Sequence, residues 1–444
     1  MCSKEQGYYQ SQVNSFQLND KQREAVDFMH KFMEGPDSMM VLEGFAGTGK
    51  TTCVQTFAEE TDYKIAFTAP TNKATKVLRQ MASRHIKRNV DTRTIYSLLG
   101  LVLTADGEFK KVDALGENDA GEYDVLIVDE SSMVGSKLFQ HIRESVSNFN
   151  VKIIFMGDPA QLPPVNEEHS PVFDLANKVT LSKVMRHDNQ ILALATDIRE
   201  CIYEPGRMPN FAAGNDANGG VFIANNGKFR LQMEKGYMSE TYKTTRDVFK
   251  TIAWRNVTVN AHNEFIRACL YGPKVGPEFQ VGERIVACAP VADLLVKLKG
   301  ETTISLHTDE EASVVALEVT EHPIYREIMC DKVILSRDGE DTSLITAYCV
   351  HESSKSAHKV MLERLADRAK KRQGSWSSFW DAKEAFHDLR PCHAITAHRS
   401  QGSTYQTVFV NVQDIMLNRD RVEALKCLYV AVTRASKNVI LKLQ

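Results

Sequence analysis

Eight consecutive residues, Gly44-Phe45-Ala46-Gly47-Thr48-Gly49-Lys50-Thr51, occupy every fixed position of the pattern G-x-x-x-x-G-K-[ST]. The pattern works only where a strand delivers the glycines to the amino end of a helix, because backbone N–H groups and the helix dipole must converge on one anion. The flanks meet that demand: Met39-Met40-Val41-Leu42 is an apolar run, and Thr52 to Ala58 has helix-compatible spacing. In this setting Gly44, Ala46, Gly47, Thr48, Gly49 and Thr52 wrap a polyphosphate. Lys50 reaches its terminal oxygens, and the Thr51 hydroxyl ligates Mg²⁺. The motif therefore implies nucleotide hydrolysis without saying what the hydrolysis drives.

The rest of the chain supplies the setting. At 444 residues it has room for about three domains. With 43% hydrophobic and 25% charged residues it has the balance of an ordinary globular protein. No apolar run is long enough to span a membrane, and Met1 to Gln6 lacks a signal-peptide core, so a cytosolic location is expected. The nine cysteines are scattered singly, with no C-x-x-C pair, and read as reduced and mostly buried thiols. A net charge of −3 does not advertise a nucleic-acid binder, yet Lys73, Lys76, Arg79, Arg84, Lys87, Arg88 and Arg93 form one basic stretch. A second runs from Arg364 to Arg372.

After the glycine loop, apolar strand-like runs alternate with helical patterns, the mark of a parallel sheet covered on both faces. Tyr63–Phe67 leads into Thr68 to Thr75, Asp124–Val128 into Asp129-Glu130, and Val151–Met156 into Gly157 to Pro164. Ligands of open α/β sheets bind beyond such strand ends. Asp106-Gly107 within 101–121 predicts a β-hairpin. A second alternating half starts near 188. From 272 to 390 it gives way to short strands and a charged helix, and it resumes with Thr407–Val412 and Asn438–Leu441.

The strand-end residues suggest chemistry. Asp129 can hold Mg²⁺ and Glu130 can orient or deprotonate the attacking water. Gln161 has an amide suited to sensing the terminal phosphate. Charge developing on that phosphate calls for arginine, and Arg186 and Arg434 are the arginines that stand out.

Taken in order, Gly44–Thr51, Thr68–Thr75, Asp129–Glu130, Gly157–Pro164, Ile395–Thr404 and Tyr429–Ala435 resemble the signature segments of superfamily 1 helicases of the RecD-like branch. The short hairpin and the stretch Trp376 to Lys383 resemble the phage members more than RecD itself. The resemblance implies an α/β fold of two RecA-like P-loop domains with parallel sheets. Residues 1–95 and 122–187 would form the first, interrupted by a hairpin at 96–121. Residues 188–271 and 391–444 would form the second, interrupted at 272–390 by an SH3-like barrel with a helical tower. It implies ATP and Mg²⁺ as cofactors, with Gln22 on adenine and Gln401 and Gly402 near the nucleotide. Lys50, Asp129, Glu130, Gln161, Arg186 and Arg434 would be the catalytic set, with Thr51 and Asp129 on the metal. Pro70, Thr71, Asn72, Lys73, Thr396 and His398 would hold single-stranded DNA, and Phe109 on the hairpin would meet the duplex. Arg399 stands where relatives often carry Lys, which keeps the charge.

The expectation is an ATP-dependent DNA helicase moving 5′ to 3′, a monomer acting on single-stranded and forked DNA, with a single-strand-binding protein as a further partner. The alternatives are a translocase that strips proteins without unwinding, an RNA-directed helicase, and a nucleotide-gated binding module. Trp376 and Trp380, four residues apart, are expected to pack the insertion rather than stack on bases.

Overall fold

The computed structural model describes residues 18–85, 90–103, 109–111, 118–182, 190–216, 219–245, 247–273, 278–292, 304–337 and 343–443. The apolar strand runs become the centre of a six-stranded parallel sheet. Its order is Asp91–Thr94, Ile65–Ala69, Val125–Val128, Lys152–Gly157, Met39–Gly44, Lys178–Leu181. Side chains alternate across a strand, so Met40 and Leu42 join one core with Phe67, Ile127, Ile154 and Met156. Val41 joins the opposite core with Ala66, Leu126, Val128, Ile153 and Phe155. Two covered faces explain why these strands read as continuous apolar runs.

The helix Asp20–Glu34 covers the first face. It starts at a capping box in which Asn19 and Gln22 exchange side-chain and backbone hydrogen bonds, and it buries Ala25, Val26, Met29 and Phe32.

A second six-stranded sheet runs in the order Ala394–Thr396, Phe249–Ala253, Tyr405–Asn411, Ala435–Lys442, Gly219–Ala224, Gly214–Asp216, and only the last strand is antiparallel. Between its strands Phe249–Ala253 and Ala394–Thr396 the chain makes a five-stranded antiparallel sheet from Arg284–Ala287, Glu311–Glu321, Met329–Arg337, Leu344–Val350 and Leu389–Pro391. The helices Lys355–Lys370 and Trp376–Glu384 accompany it. In the first half Leu101–Leu103 pairs antiparallel with Phe109–Lys111, the two arms of the expected hairpin. Its turn lies outside the described residues.

Trp376 is half exposed and meets Phe379 edge-on at 5.7 Å. The expectation that it packs the insertion is therefore only partly met: it pairs with a neighbour on its own helix while one side stays in solvent. The eight described cysteines are free, and six of them are buried. No described helix is long and apolar enough to cross a membrane.

Candidate nucleotide site and strand-side surface

The strand Met39–Gly44 lies inside the first sheet and hands the chain directly to the helix Lys50–Glu59. Gly47 (φ 80°) and Gly49 (φ 88°) take left-handed conformations that side chains rarely adopt. A Cβ on Gly49 would also lie 2.2 Å from Gln22 Nε2. Thr48 is buried and ties the turn by donating from Oγ1 to the Phe45 carbonyl at 2.9 Å. The helix has no side-chain cap at its amino end, so its first-turn N–H groups are available to an anion. Lys50 Nζ donates to the carbonyls of Gly44 and Phe45, lying back along the loop it would leave for a phosphate.

Gln22 is placed at the glycine loop, and its amide is engaged at both ends. Oε1 accepts the Asn19 N–H at 3.1 Å and Nε2 donates to the Thr48 carbonyl at 3.0 Å. It braces the glycine turn.

Asp129 and Glu130 follow the buried strand Val125–Val128. Burial pushes the Asp129 carboxyl up to about 7, helped by the adjacent Glu130 charge and opposed by the Glu130 N–H and by Lys50. Such a carboxyl suits a site where a divalent cation supplies the missing counter-charge. Glu130 has a left-handed backbone (φ 50°), a conformation that costs a non-glycine residue about 1 kcal/mol or more. Ser131 clamps this corner, donating to the Val128 carbonyl and accepting the Met156 N–H.

Gln161 is buried, and its Oε1 has no hydrogen-bond partner among the described residues. A buried acceptor without a partner costs about 1–3 kcal/mol. Together with the uncapped helix it fits a ligand that brings water or phosphate hydroxyl donors, as hydrated Mg²⁺–ATP does.

The two halves meet at this site. Tyr429, on the helix Arg421–Thr433 of the second half, donates its hydroxyl to Asp158 Oδ2 at 2.7 Å and accepts the Ala46 N–H at 3.1 Å. Gln401 donates to the Leu162 carbonyl at 3.3 Å, and Gly402, with φ 69°, leaves just enough room for Ala74. Ala160 and Leu162 of the first half belong to one apolar cluster with Val408, Leu428 and Tyr429 of the second, and Phe45 and Ala46 pack on it. Gln401 and Gly402 thus line the junction of the halves. Arg434 is buried on its own half, donating to the carbonyls of Val430 and Ser403 and to Thr433 Oγ1. Arg186 lies outside the described residues.

On the strand side, Thr71 Oγ1 accepts the Ala74 N–H at the start of the helix Asn72–His85, next to Pro70 and Asn72. Thr396 Oγ1 accepts the Arg399 N–H, and the half-exposed His398 lies 3.7 Å from Glu423. Phe109 opens its hairpin strand opposite Leu103. Lys73 departs from its expected place in the strand grip. Its ammonium turns inward, donates to the Tyr405 hydroxyl at 2.7 Å and lies 3.5 Å from Glu311.

Glu311, from the inserted sheet, also pairs with Lys250 at 3.0 Å and Arg284 at 2.7 Å. Burial alone would raise its carboxyl, but Lys250, Lys73 and Arg284 outweigh burial and hold it well below the usual carboxylate range. One carboxylate therefore joins the first half, the second half and the insertion. Asp309, two residues before Glu311, pairs with Arg399 at 3.1 Å.

Motif reading passed over Tyr429, Asp158, Glu311 and also Arg199, whose guanidinium lies 3.8 Å over the Phe45 ring. Tyr429 and Asp158 stand inside quoted segments, and a hydroxyl in an apolar helix and an acid directly after a strand were the available signals. Nothing local marks Glu311.

Residues 17–201 match the AAA domain family, and residues 391–441 match the UvrD-like helicase C-terminal domain family. The ATP-dependent DNA helicase Dda of Enterobacteria phage T4 is 26% identical over 95% of this chain and 98% of its own length. An uncharacterised protein of Acanthamoeba polyphaga mimivirus is 22% identical over 95% of this chain and 99% of its own. The crystal structure of Pif1 helicase from Candida albicans shares the fold, with a TM-score of 0.50 and 15% identity over 96% of this chain and 94% of that one. With a match to the AAA domain family at its front, a match to the UvrD-like helicase C-terminal domain family at its end and similarity to a phage helicase over 95% of its length, the chain is similar to the RecD-like superfamily 1 helicases.

Proposed function

We propose that this protein is an ATP-dependent DNA helicase that moves 5′ to 3′ along single-stranded DNA and separates duplex at a fork. The observation that carries the reading is the contact of Tyr429 with both the phosphate loop and Asp158. It makes one buried site out of two halves that each bear a strand-side segment. A site split in this way can change the relative position of the halves as nucleotide is bound and released.

The division of labour follows from the side chains. Lys50 and the amides of Gly47 to Thr52 bind the phosphates, Gln22 braces the loop, and Glu130 orients the attacking water. Gln161 senses the terminal phosphate next to Asp158 and Tyr429. Held by Thr51 and Asp129, Mg²⁺ would neutralise charge on the phosphate oxygens. Arg434 lies five residues after Tyr429 and would exchange its carbonyl partners for phosphate, and Arg186 would be the second arginine on the phosphates. Thr71, Asn72, Thr396 and His398 grip the strand in alternation, and Phe109 meets the duplex. In this reading residues 1–95 with 122–187, and 188–271 with 391–444, are the two motor domains, and 96–121 and 272–390 the insertions.

We place the enzyme in the cytosol as a monomer, serving replication, recombination or repair beside a single-strand-binding protein. Forks carrying only a 5′ or only a 3′ tail test the claim. Unwinding of the 5′-tailed fork alone is expected. ATP hydrolysis on single strands with no unwinding of either fork would refute strand separation and leave a translocase.

A further inference from the structure

The carboxyl edge of the second sheet carries a feature that neither the nucleotide site nor the junction uses. A cavity of about 420 Å³ opens there, beyond the ends of the strands Gly219–Ala224, Phe249–Ala253, Tyr405–Asn411 and Ala435–Lys442. Arg230, Arg255 and Lys442 line it. The carboxylate that reaches this cluster, Asp414, is committed: it accepts from the Trp254 and Arg255 N–H groups, from Arg255 Nε at 2.7 Å and from Thr258 Oγ1. Arg255 is thereby neutralised. Arg230 lies 4.4 Å over the Phe265 ring, and neither it nor Lys442 has an ion-pair partner among the described residues.

Two like charges facing one cavity repel unless an anion joins them. Their neighbours register the surplus. Burial, then Lys442 and Arg230 against the pull of Asp414, lowers the His262 imidazole to about 4. Burial and Arg230 likewise lower the Lys442 ammonium, again opposed by Asp414. The 16-residue helix Asn256–Tyr271 begins at the cavity wall, where Asp414 already holds the Arg255 N–H and the Thr258 hydroxyl. In a parallel α/β sheet this is where ligands bind, and two convergent cations, Arg230 and Lys442, select an anion.

We propose that this cavity is a phosphate site in which Arg230 and Lys442 hold a backbone phosphate of the single strand. The source follows from continuity. The strand Ala394–Thr396 is parallel to Phe249–Ala253, so Thr396 and His398 extend from the same carboxyl edge of the sheet. A strand held at His398 and continuing along this edge brings its next phosphates to Arg230 and Lys442. The source rests on the helicase reading, whereas the phosphate chemistry rests on the cavity alone.

The test uses the full chain with Arg230→Gln and Lys442→Gln combined, and the charge-keeping pair Arg230→Lys and Lys442→Arg as a control for folding. Affinity is measured for oligothymidylates lengthened one nucleotide at a time, and for inorganic pyrophosphate by calorimetry. We expect the neutral pair to bind long oligothymidylates about tenfold more weakly, as loss of charge-assisted contacts predicts, while binding short ones as before. The slope of log affinity against log salt should fall by about 0.7 per lost phosphate contact. The charge-keeping pair should restore both.

Loss of pyrophosphate binding with unchanged oligothymidylate affinity at every length would keep the phosphate site and assign it to a free phosphate. Unchanged affinity for both probes, or equal loss at all lengths that the charge-keeping pair does not restore, would overturn the proposal. Single-strand-stimulated ATP hydrolysis, measured on the same samples of the unmodified chain, reports separately on the helicase reading.

Discussion

Tyr429→Phe isolates the bond between the halves, because it removes one oxygen and leaves the buried ring in place. The hydroxyl makes two buried hydrogen bonds, to the Asp158 carboxylate at 2.7 Å and from the Ala46 N–H at 3.1 Å. A bond to a charged acceptor contributes about 1.5–3 kcal/mol and a neutral one about 1 kcal/mol. Packing of Ala160, Leu162, Phe45 and Ala46 on the second half persists in the variant, so part of the junction survives. We therefore expect the free energy for local opening at Ala46 to drop by about 2 kcal/mol, which is about thirtyfold faster amide exchange.

Hydrogen exchange read on the peptide spanning Gly44 to Gly49 measures this in the nucleotide-free protein. Asp158→Asn should produce a similar acceleration, and the double variant little more than either alone, since the two substitutions break the same contact. Unchanged exchange in the glycine loop, or accelerations that simply multiply, would show that the phenol does not hold the loop to the second half.

Four further outcomes follow from the structure. Lys50→Ala should abolish ATP hydrolysis and leave single-strand affinity largely intact, and near-normal turnover in a coupled ATPase assay would contradict the phosphate-loop assignment. Glu311→Gln leaves Lys73, Lys250 and Arg284 facing a neutral amide, so it should cost about 3–5 kcal/mol in thermal unfolding. A loss no larger than that of the exposed pair Lys21–Glu24 would refute its role as the joint of three units.

His393 is held neutral: burial, then Lys250, Arg284 and Arg267, lower its imidazole from 6.5 to about 3, against the pull of Glu311. The unfolded chain therefore binds the proton first, and stability falls as pH drops from about 6.5 towards 3, by up to about 1.4 kcal/mol per pH unit. His393→Gln should flatten this acid limb in unfolding followed at several pH values, and an identical limb would exclude His393 as its source. Phe109→Ala should slow unwinding more than single-strand translocation, and equal losses in both assays would remove the wedge role.

Local rules made much of the first sheet legible. Gly47 and Gly49 must be glycine at φ 80° and 88°, and the pattern announces them. The runs around Met40, Phe67, Ile127 and Ile154 are apolar at consecutive positions because helices cover both faces of the sheet, and such runs can be read without a neighbour in view. Asp129 and Glu130 were readable for the same reason, as polar residues that follow a buried strand. The ordered motifs also pointed to a second half with the same architecture, and the strand Tyr405–Asn411 lies where Thr407–Val412 predicted one.

What the sequence could not decide is which polar groups face each other across the halves. Lys73 reads as a member of a basic stretch beside the strand-binding segment, yet it is drawn inward by Tyr405 and Glu311, 332 and 238 residues away along the chain. Tyr429 and Asp158 are 271 residues apart and look unremarkable singly. The cationic cavity likewise draws Arg230, Arg255 and Lys442 from three separate segments. Periodicity and motif spacing report backbone geometry within one element. Hydrogen bonding and charge pairing between elements depend on distances that only the folded chain sets, so the phosphate loop belongs to the sequence and its link to the second half belongs to the tertiary structure.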